Sequence, residues 1–543
     1  MSRLATPGVY IVEQNAFTSS VVAVPTAVPA FIGYTEKAER DRDSLLNKPT
    51  RITSLAEYVR FFGGAPKTTF TIKADATKDF DLRIDTNTQY YLFNSIRAFF
   101  ANGGGACYIV SVGDYSRGVK LNELNDQQNG GGLMTLLKEQ EPTMVVVPDA
   151  VLLSREECYD LYKQVLKHCG VDTKSRFAIL DVHDGHKERT LDNNDVVTAF
   201  REGVGNNHLA FGAGYYPWVK TTIVTGDEVS YKNVSNLDEL IRILTKEAER
   251  TFLGDAVTTT TSVVETPPPP ISDASVEGDK PKKPPVIPPR TTTQVTRVVD
   301  PKLQKKFDAA KEEIEKLRDP NANASVVEQN VKALGVVMKN VLDQMRQLLN
   351  IMPTSGVMAG IYALVDNMQG VHKAPANVSL SSVVAPIVNI TSEQQEDLNL
   401  PLNGKAVNAI RGFVGKGVLV WGARTLDGNS QDWRYINVRR TMVMIEQSIK
   451  IAAEAYVFEA NNGPTWLKIR TSIENFLTDV WKSGALMGGS PAEAFDVSVG
   501  LGSTMTPVDI LDGIMRISVK VAVVRPAEFI VITFQQKMVS TGA

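Results

Sequence analysis

The sequence predicts a multidomain protein of mixed class, an α/β middle followed by an α+β C-terminal region. Three observations carry that reading. A βαβ rhythm runs from Tyr90 to Val182, a proline-rich break at Thr258 to Gln294 leads into two helical runs, and the final stretch alternates long helices with β-branched strands. At 543 residues the chain also exceeds what one hydrophobic core organises, so roughly two to four domains are expected.

The opening segments Gly8 to Glu13, Val21 to Val24 and Ala30 to Gly33 are β-branched and interrupted by Pro7, Pro25 and Pro29, which reads as strand material. A helix over Tyr90 to Asn102 stops at Gly103-Gly104-Gly105, and Ala106 to Val112 follows as a buried strand. Met144 to Val147 and Arg176 to Val182 read as further strands, with a helix around Glu156 to His168 between them. Nine prolines between Pro267 and Pro289 exclude a helix or a central strand, so this stretch is expected as a solvated loop.

Helical runs follow at Lys302 to Arg318 and Ser325 to Ile351. Val327, Val331, Leu334, Met338, Val341, Met345 and Leu348 mark a continuous apolar seam on the second, and the short break at Asp319-Pro320 predicts a hairpin of the two. Further on, a β-hairpin is expected between Val418 to Thr425 and Trp433 to Val438 around Asp427-Gly428-Asn429. Helices at Arg439 to Phe458 and Thr465 to Ser483 are then followed by strands at Ala494 to Val499, Met515 to Val524 and Glu528 to Val539.

Composition narrows the function classes. With 58 basic against 61 acidic side chains, the chain has no basic field for nucleic acid or an anionic membrane. The start MSRLATPGVY lacks a basic region followed by an apolar one, and no apolar run is long enough to span a bilayer, so synthesis in the cytoplasm without direct membrane insertion is expected. Cys107, Cys158 and Cys169 are odd in number and widely spaced, which suits buried thiols and not a disulfide framework.

The enzymatic leads are thin. Asp181, His183 and His186 stand at a strand's end, where α/β enzymes keep metal ligands, so a metal-dependent enzyme of the middle region is one alternative. A lone H-x-x-H is a partial ligand set, and the five histidines leave little to complete it. The segment reads first as a solvated turn. Gly412 to Gly417 has two residues between Gly412 and Gly415 and no Ser or Thr after Lys416, so it reads as a turn before a strand and not as a phosphate loop. No catalytic residue, metal site or cofactor is assigned.

Both ends of the chain carry specific motifs. Gly360-Ile361-Tyr362-Ala363 with Asp366, then Gly370 to Asn377, Val407 to Arg411, Val420 to Leu426 and Trp433 to Arg440 occur in a set order. Phe458 to Asn461, Ala494 to Val497 and Pro526 to Ile530 continue the series, and Thr6 to Glu13 with Phe31 to Gly33 supply its opening. In these residues the chain resembles the phage tail sheath family. Between Thr35 and Leu349 no specific motif is recognised.

The resemblance implies a fold of mixed α/β and α+β class. Residues 1–34 would form an N-terminal extended arm and the first strands of a core domain, whose mixed sheet belongs to residues 353–543 and ends in a terminal strand arm. Residues 35–257 would be an inserted α/β domain, 258–300 a Pro/Thr-rich loop or linker, and 301–352 a helical hairpin insertion. It also implies a non-enzymatic subunit that polymerises helically on itself around an inner tube, meets baseplate and terminal cap proteins, and contracts. Assembly would take place in the bacterial cytoplasm, in a phage tail, tailocin or injection particle that can be released. A non-contractile tail or baseplate protein is the other alternative. In this family the chain ends add strands to neighbouring subunits. The matching residues here are Val9, Tyr10, Ile11 and Val12, and Phe529, Ile530, Val531, Ile532, Thr533 and Phe534, all apolar or β-prone.

Overall fold

A computed structural model describes residues 21–532 except 191, 193, 255–257, 267–289 and 299. Two compact units emerge. The larger draws on the chain up to residue 67, on 86–224 and on everything from 349; the smaller combines 68–85 with 225–348.

The larger unit is built on an eight-stranded mixed sheet. Its strands are β1 (Pro29–Gly33), β2 (Thr50–Ile52), β3 (Cys107–Ser111), β4 (Met144–Val146), β5 (Phe177–Asp181), β6 (Gly212–Tyr216), β7 (Val407–Phe413) and β8 (Gly417–Trp421). The order is β8-β7-β6-β5-β4-β1-β3-β2. Pairing is parallel from β3 through β7, and only the edge strands β2 and β8 run antiparallel. The inner strands β1, β3, β4 and β5 read as nearly unbroken apolar runs because both faces of the sheet are covered. Alternation splits each strand between two cores: Ala30, Ile32, Val145 and Leu180 face one, and Phe31, Met144, Val146 and Ile179 the other.

The first core is closed by α2 (Arg155–Lys167), which starts in a capping box formed by Ser154 and Glu157 and buries Cys158, Leu161, Tyr162 and Val165. The second is closed by α1 (Leu92–Ala101) and α3 (Ser355–Gln369). These two helices approach closely because a Cβ on Gly356 or Gly360 would lie 2.8 Å from the Ser95 carbonyl oxygen or 2.6 Å from that of Phe99. The glycine of the Gly360 motif is thus a packing requirement.

Farther along lie α4 (Ser392–Asn399), α5 (Ile436–Glu454) and α6 (Gly463–Lys482), then a two-stranded ribbon of β9 (Phe495–Val499) and β10 (Ile517–Val521). Asn462 caps α6 by accepting from the Thr465 N–H. A separate apolar cluster holds α5, α6 and the ribbon together through Met444, Ile445, Ile473, Phe476 and Val497.

The structure differs from the sequence reading at several points. The hairpin expected between Val418 to Thr425 and Trp433 to Val438 forms instead between β7 and β8, where Gly415 and Gly417, both at φ +76°, make the turn. Arg424 and Tyr435 retain one isolated bridge, and Ile436 already starts α5. Because β7 and β8 extend the same sheet as β1 to β6, the α/β middle and the residues beyond 353 share one core.

In the smaller unit the expected long helix over Ser325 to Ile351 is two, Ala324–Leu334 and Val337–Leu349. The Glu247 carboxylate accepts from the Val336 and Val337 N–H groups at 2.7 and 3.0 Å, and so starts the second helix afresh. The flanks of the proline-rich stretch are not loop: Thr258–Thr266 pairs antiparallel with Arg290–Val298, from Thr258↔Val298 to Thr266↔Arg290. The proline run itself lies outside the described residues.

Candidate functional site at the chain ends

The segment leading out of β1 toward the N-terminus is fixed on α5. Val21 enters the cluster of Met444, Ile445 and Ile473, and the Val24 N–H donates to Ser448 Oγ at 3.0 Å. The Thr26 carbonyl accepts from Arg440 Nη2 at 2.9 Å and from Thr143 Oγ1 at 2.7 Å. Arg440 is held in turn by a two-pronged ion pair with Asp366, at 2.9 and 2.6 Å, and its guanidinium lies 4.7 Å from the centroid of the Tyr362 ring. Tyr362 and Asp366 belong to the first stretch of the motif series and Arg440 to a later one, and the fold brings them together behind the N-terminal segment.

The C-terminal segment is fixed a short distance away in sequence from β10. The Val524 N–H donates to the Ala485 carbonyl at 3.1 Å, and Asn437 Nδ2 reaches the Val524 carbonyl at 3.1 Å. Glu528 then enters a polar socket. Arg424 Nη2 and Nε donate to its carboxylate at 2.6 and 3.0 Å, Asn399 Nδ2 at 2.7 Å and the Tyr435 hydroxyl at 3.2 Å. Burial acts to raise the Glu528 pKa, but the Arg424 and Asn399 bonds outweigh it and hold the carboxyl below its ordinary value.

Past Glu528 the fixing ends. Phe529, Ile530, Val531 and Ile532 are 66%, 80%, 89% and 70% exposed, and none is in a strand. The strand expected over Glu528 to Val539 is therefore absent from its described part. Val9, Tyr10, Ile11, Val12, Thr533 and Phe534 lie outside the described residues.

The residues considered for metal chemistry are engaged otherwise. Asp181 Oδ1 accepts from the Thr354 and Ser355 N–H groups at 2.6 and 2.8 Å, capping α3. His183 Nε2 lies 3.0 Å from the Leu153 carbonyl, and the His186 ring packs at a tilt against that of Trp218, with centroids 5.0 Å apart. Among the described residues no group of three or more His, Cys, Asp or Glu is placed to hold a metal.

In open α/β sheets ligands bind beyond the strand C-termini where the strand order reverses, here between β1 and β4. That position is filled by the protein itself. Asp149 is fully buried there and accepts from the N–H groups of Tyr34, Tyr91 and Leu92, at 3.1, 2.6 and 3.2 Å, so its carboxylate stands where a bound anion would meet the start of α1. Asp149 was not singled out in the sequence, because Tyr34 and the start of α1, which supply its donors, lie far from it along the chain.

The chain matches known proteins in the same sense. A family model described as the phage tail sheath C-terminal domain matches residues 429–537. The tail sheath protein of Vibrio phage KVP40 is 23% identical over 160 residues, 30% of this chain and 22% of that protein. That of Enterobacteria phage T4 is 26% identical over 125 residues, 23% and 19% of the two chains. The matched stretch thus spans less than a quarter of these relatives. Two solved structures match along nearly the whole chain. One is the contracted sheath complex of an extracellular contractile injection system, PVC (25% identity, TM-score 0.56, 99% of each chain). The other is the contracted helical sheath of the anti-feeding prophage (26% identity, TM-score 0.56, 98% of this chain and 99% of that one). With the family model over residues 429–537, the phage relatives and the full-length neighbours in agreement, the chain is similar to the tail sheath proteins of contractile tails and contractile injection systems.

Proposed function

We propose that this chain is the structural subunit of a contractile sheath, which polymerises helically on itself around an inner tube and shortens to drive that tube through a target envelope. The observation that carries the reading is the end of the described chain: four consecutive β-prone apolar side chains, Phe529 to Ile532, stand in solvent directly after the fixed Glu528. The ribbon β9–β10 offers a complementary need. Among the described residues neither of its outer edges is paired by a further strand, so each presents unpaired backbone groups to a strand from another chain. Arms from neighbouring copies would complete it by strand addition.

If an arm makes about five ladder bonds at roughly 0.5–1.5 kcal/mol each, one joint contributes about 3–8 kcal/mol before the cost of ordering the arm. Repeated through a lattice, such joints let bodies rotate and slide while the chains stay connected. Contraction then needs no nucleotide, only a contracted lattice with better contacts between bodies than the extended one. The inner tube, baseplate and terminal cap proteins are the partners this function requires, and assembly in the bacterial cytoplasm goes with it.

The test is removal of Ser2 to Asn15. The expected product is a folded monomer, with wild-type circular dichroism, that does not polymerise; electron micrographs with sheaths of normal length would refute the arm assignment.

A further inference from the structure

The geometry points to Glu528 as the positioning residue through which load on the C-terminal arm reaches the body of the subunit. The inference rests on the strand-exchange reading above. Glu528 is the last residue before the exposed arm, and its carboxylate is gripped from three separate segments. These are Asn399 at the end of α4, Arg424 after β8, and Tyr435 at the start of α5.

The grip continues inward. The Arg424 side chain is 2% exposed, and its Nη1 donates to the Gly428 carbonyl at 3.1 Å. Its backbone N–H donates to Asn408 Oδ1 and its carbonyl accepts from Asn408 Nδ2, both at 2.8 Å. Asn408 lies in β7 and also donates to the Gly214 carbonyl of β6 at 3.2 Å. A pull on Phe529 to Ile532 therefore meets Glu528 first, passes through Arg424, and ends in the eight-stranded sheet. An exposed ion pair would yield to water under such a pull; this one is shielded, two-pronged and backed by neutral donors.

Removing one partner would strand a charge, so the informative variant is Arg424→Met with Glu528→Leu, which removes both. Because Cys107, Cys158 and Cys169 are buried, a nitroxide on Ile532→Cys reports the arm selectively. In the double variant the monomer's unfolding midpoint is expected to stay near wild type, while the nitroxide spectrum sharpens. The critical concentration for polymerisation is expected to rise about tenfold, equivalent to about 1.4 kcal/mol. Asn399→Ala, which strands no charge, should move both readouts the same way by a smaller factor.

Unchanged nitroxide spectra and critical concentrations in both variants would overturn the role of Glu528. A chain ending at Glu528 separates the two ideas. If it fails to polymerise while the double variant polymerises normally, only the anchoring role falls; if it polymerises like wild type, the strand-exchange reading falls with it.

Discussion

Replacing Arg440 by alanine is expected to destabilise the folded subunit by about 3–5 kcal/mol, the cost of leaving one half of a buried ion pair behind. Asp366 and Arg440 have side chains 2% and 4% exposed, and the two bonds between them leave neither reachable by water. Truncation strands the Asp366 carboxylate and removes the cation from the Tyr362 ring face. It also removes one of the two donors to the Thr26 carbonyl, so the N-terminal segment should loosen at the point where it leaves the body. Two measurements check this. Urea unfolding of the monomer followed by circular dichroism should show the loss, and limited proteolysis should cut between residues 20 and 28 faster than in wild type. Asp366→Leu with Arg440→Met should restore most of the stability, because no charge is then buried alone. A loss below about 1 kcal/mol in the single variant would mean that the pair is not what holds this corner.

How far the sequence led differs between elements, for physical reasons. Helices were readable where the signal is local: those expected around Glu156 to His168 and over Thr465 to Ser483 are α2 and α6, starting within two residues of the expected positions. The inner strands β1, β3, β4 and β5 were readable as apolar runs because both of their faces are buried, whereas β6 and β7, with their glycines and polar residues, were not expected as strands. What failed needed a partner distant in sequence. The apolar seam from Val327 to Leu348 continues across Gly335, and the break comes from Glu247, some ninety residues earlier, capping Val336 and Val337. Prolines dominated the reading of Thr258 to Gln294, while the β-branched flanks pair across them.

The site shows the same division. Asp366, Arg424, Arg440 and Glu528 all lie within recognised motifs. Nothing along the chain says that Asp366 meets Arg440, 74 positions on, or that Arg424 meets Glu528, 104 positions on. The arm residues Phe529 to Ile532 were legible as β-prone but not as unpaired, since pairing is a property of the neighbour that would receive them.

The second large effect is expected at the two carboxyls that cap α1 and α3 from the ends of the sheet. Burial pushes both Asp149 and Asp181 up to about 6, against the bonds from backbone N–H groups that act to lower them. In the unfolded chain each titrates near an ordinary ~4. Between those values these two groups bind more protons in the folded state than in the unfolded one, so their contribution to stability falls as pH rises through this window. From pH 7 down to pH 5 each carboxyl should add about 1 kcal/mol, before carboxyls held below their ordinary value, such as Asp195, begin to lose their bonds at lower pH. His168, lowered by burial to about 3, and His186 and His372, also lowered by burial, lose stability over the same interval, so the carboxyl contribution is read as a difference: relative to the wild type, Asp149→Asn with Asp181→Asn should lose about 2 kcal/mol of the stability that acidification from pH 7 to pH 5 would otherwise supply. Asp149→Ala is the severe change. It leaves the N–H groups of Tyr34, Tyr91 and Leu92 buried without an acceptor, an expected loss of about 3–9 kcal/mol at 1–3 kcal/mol for each stranded donor. A double variant whose midpoints shift between pH 5 and pH 7 as the wild type's do would show that these carboxyls stay ionised through the window, and that the bonds to the helix N-termini outweigh their burial.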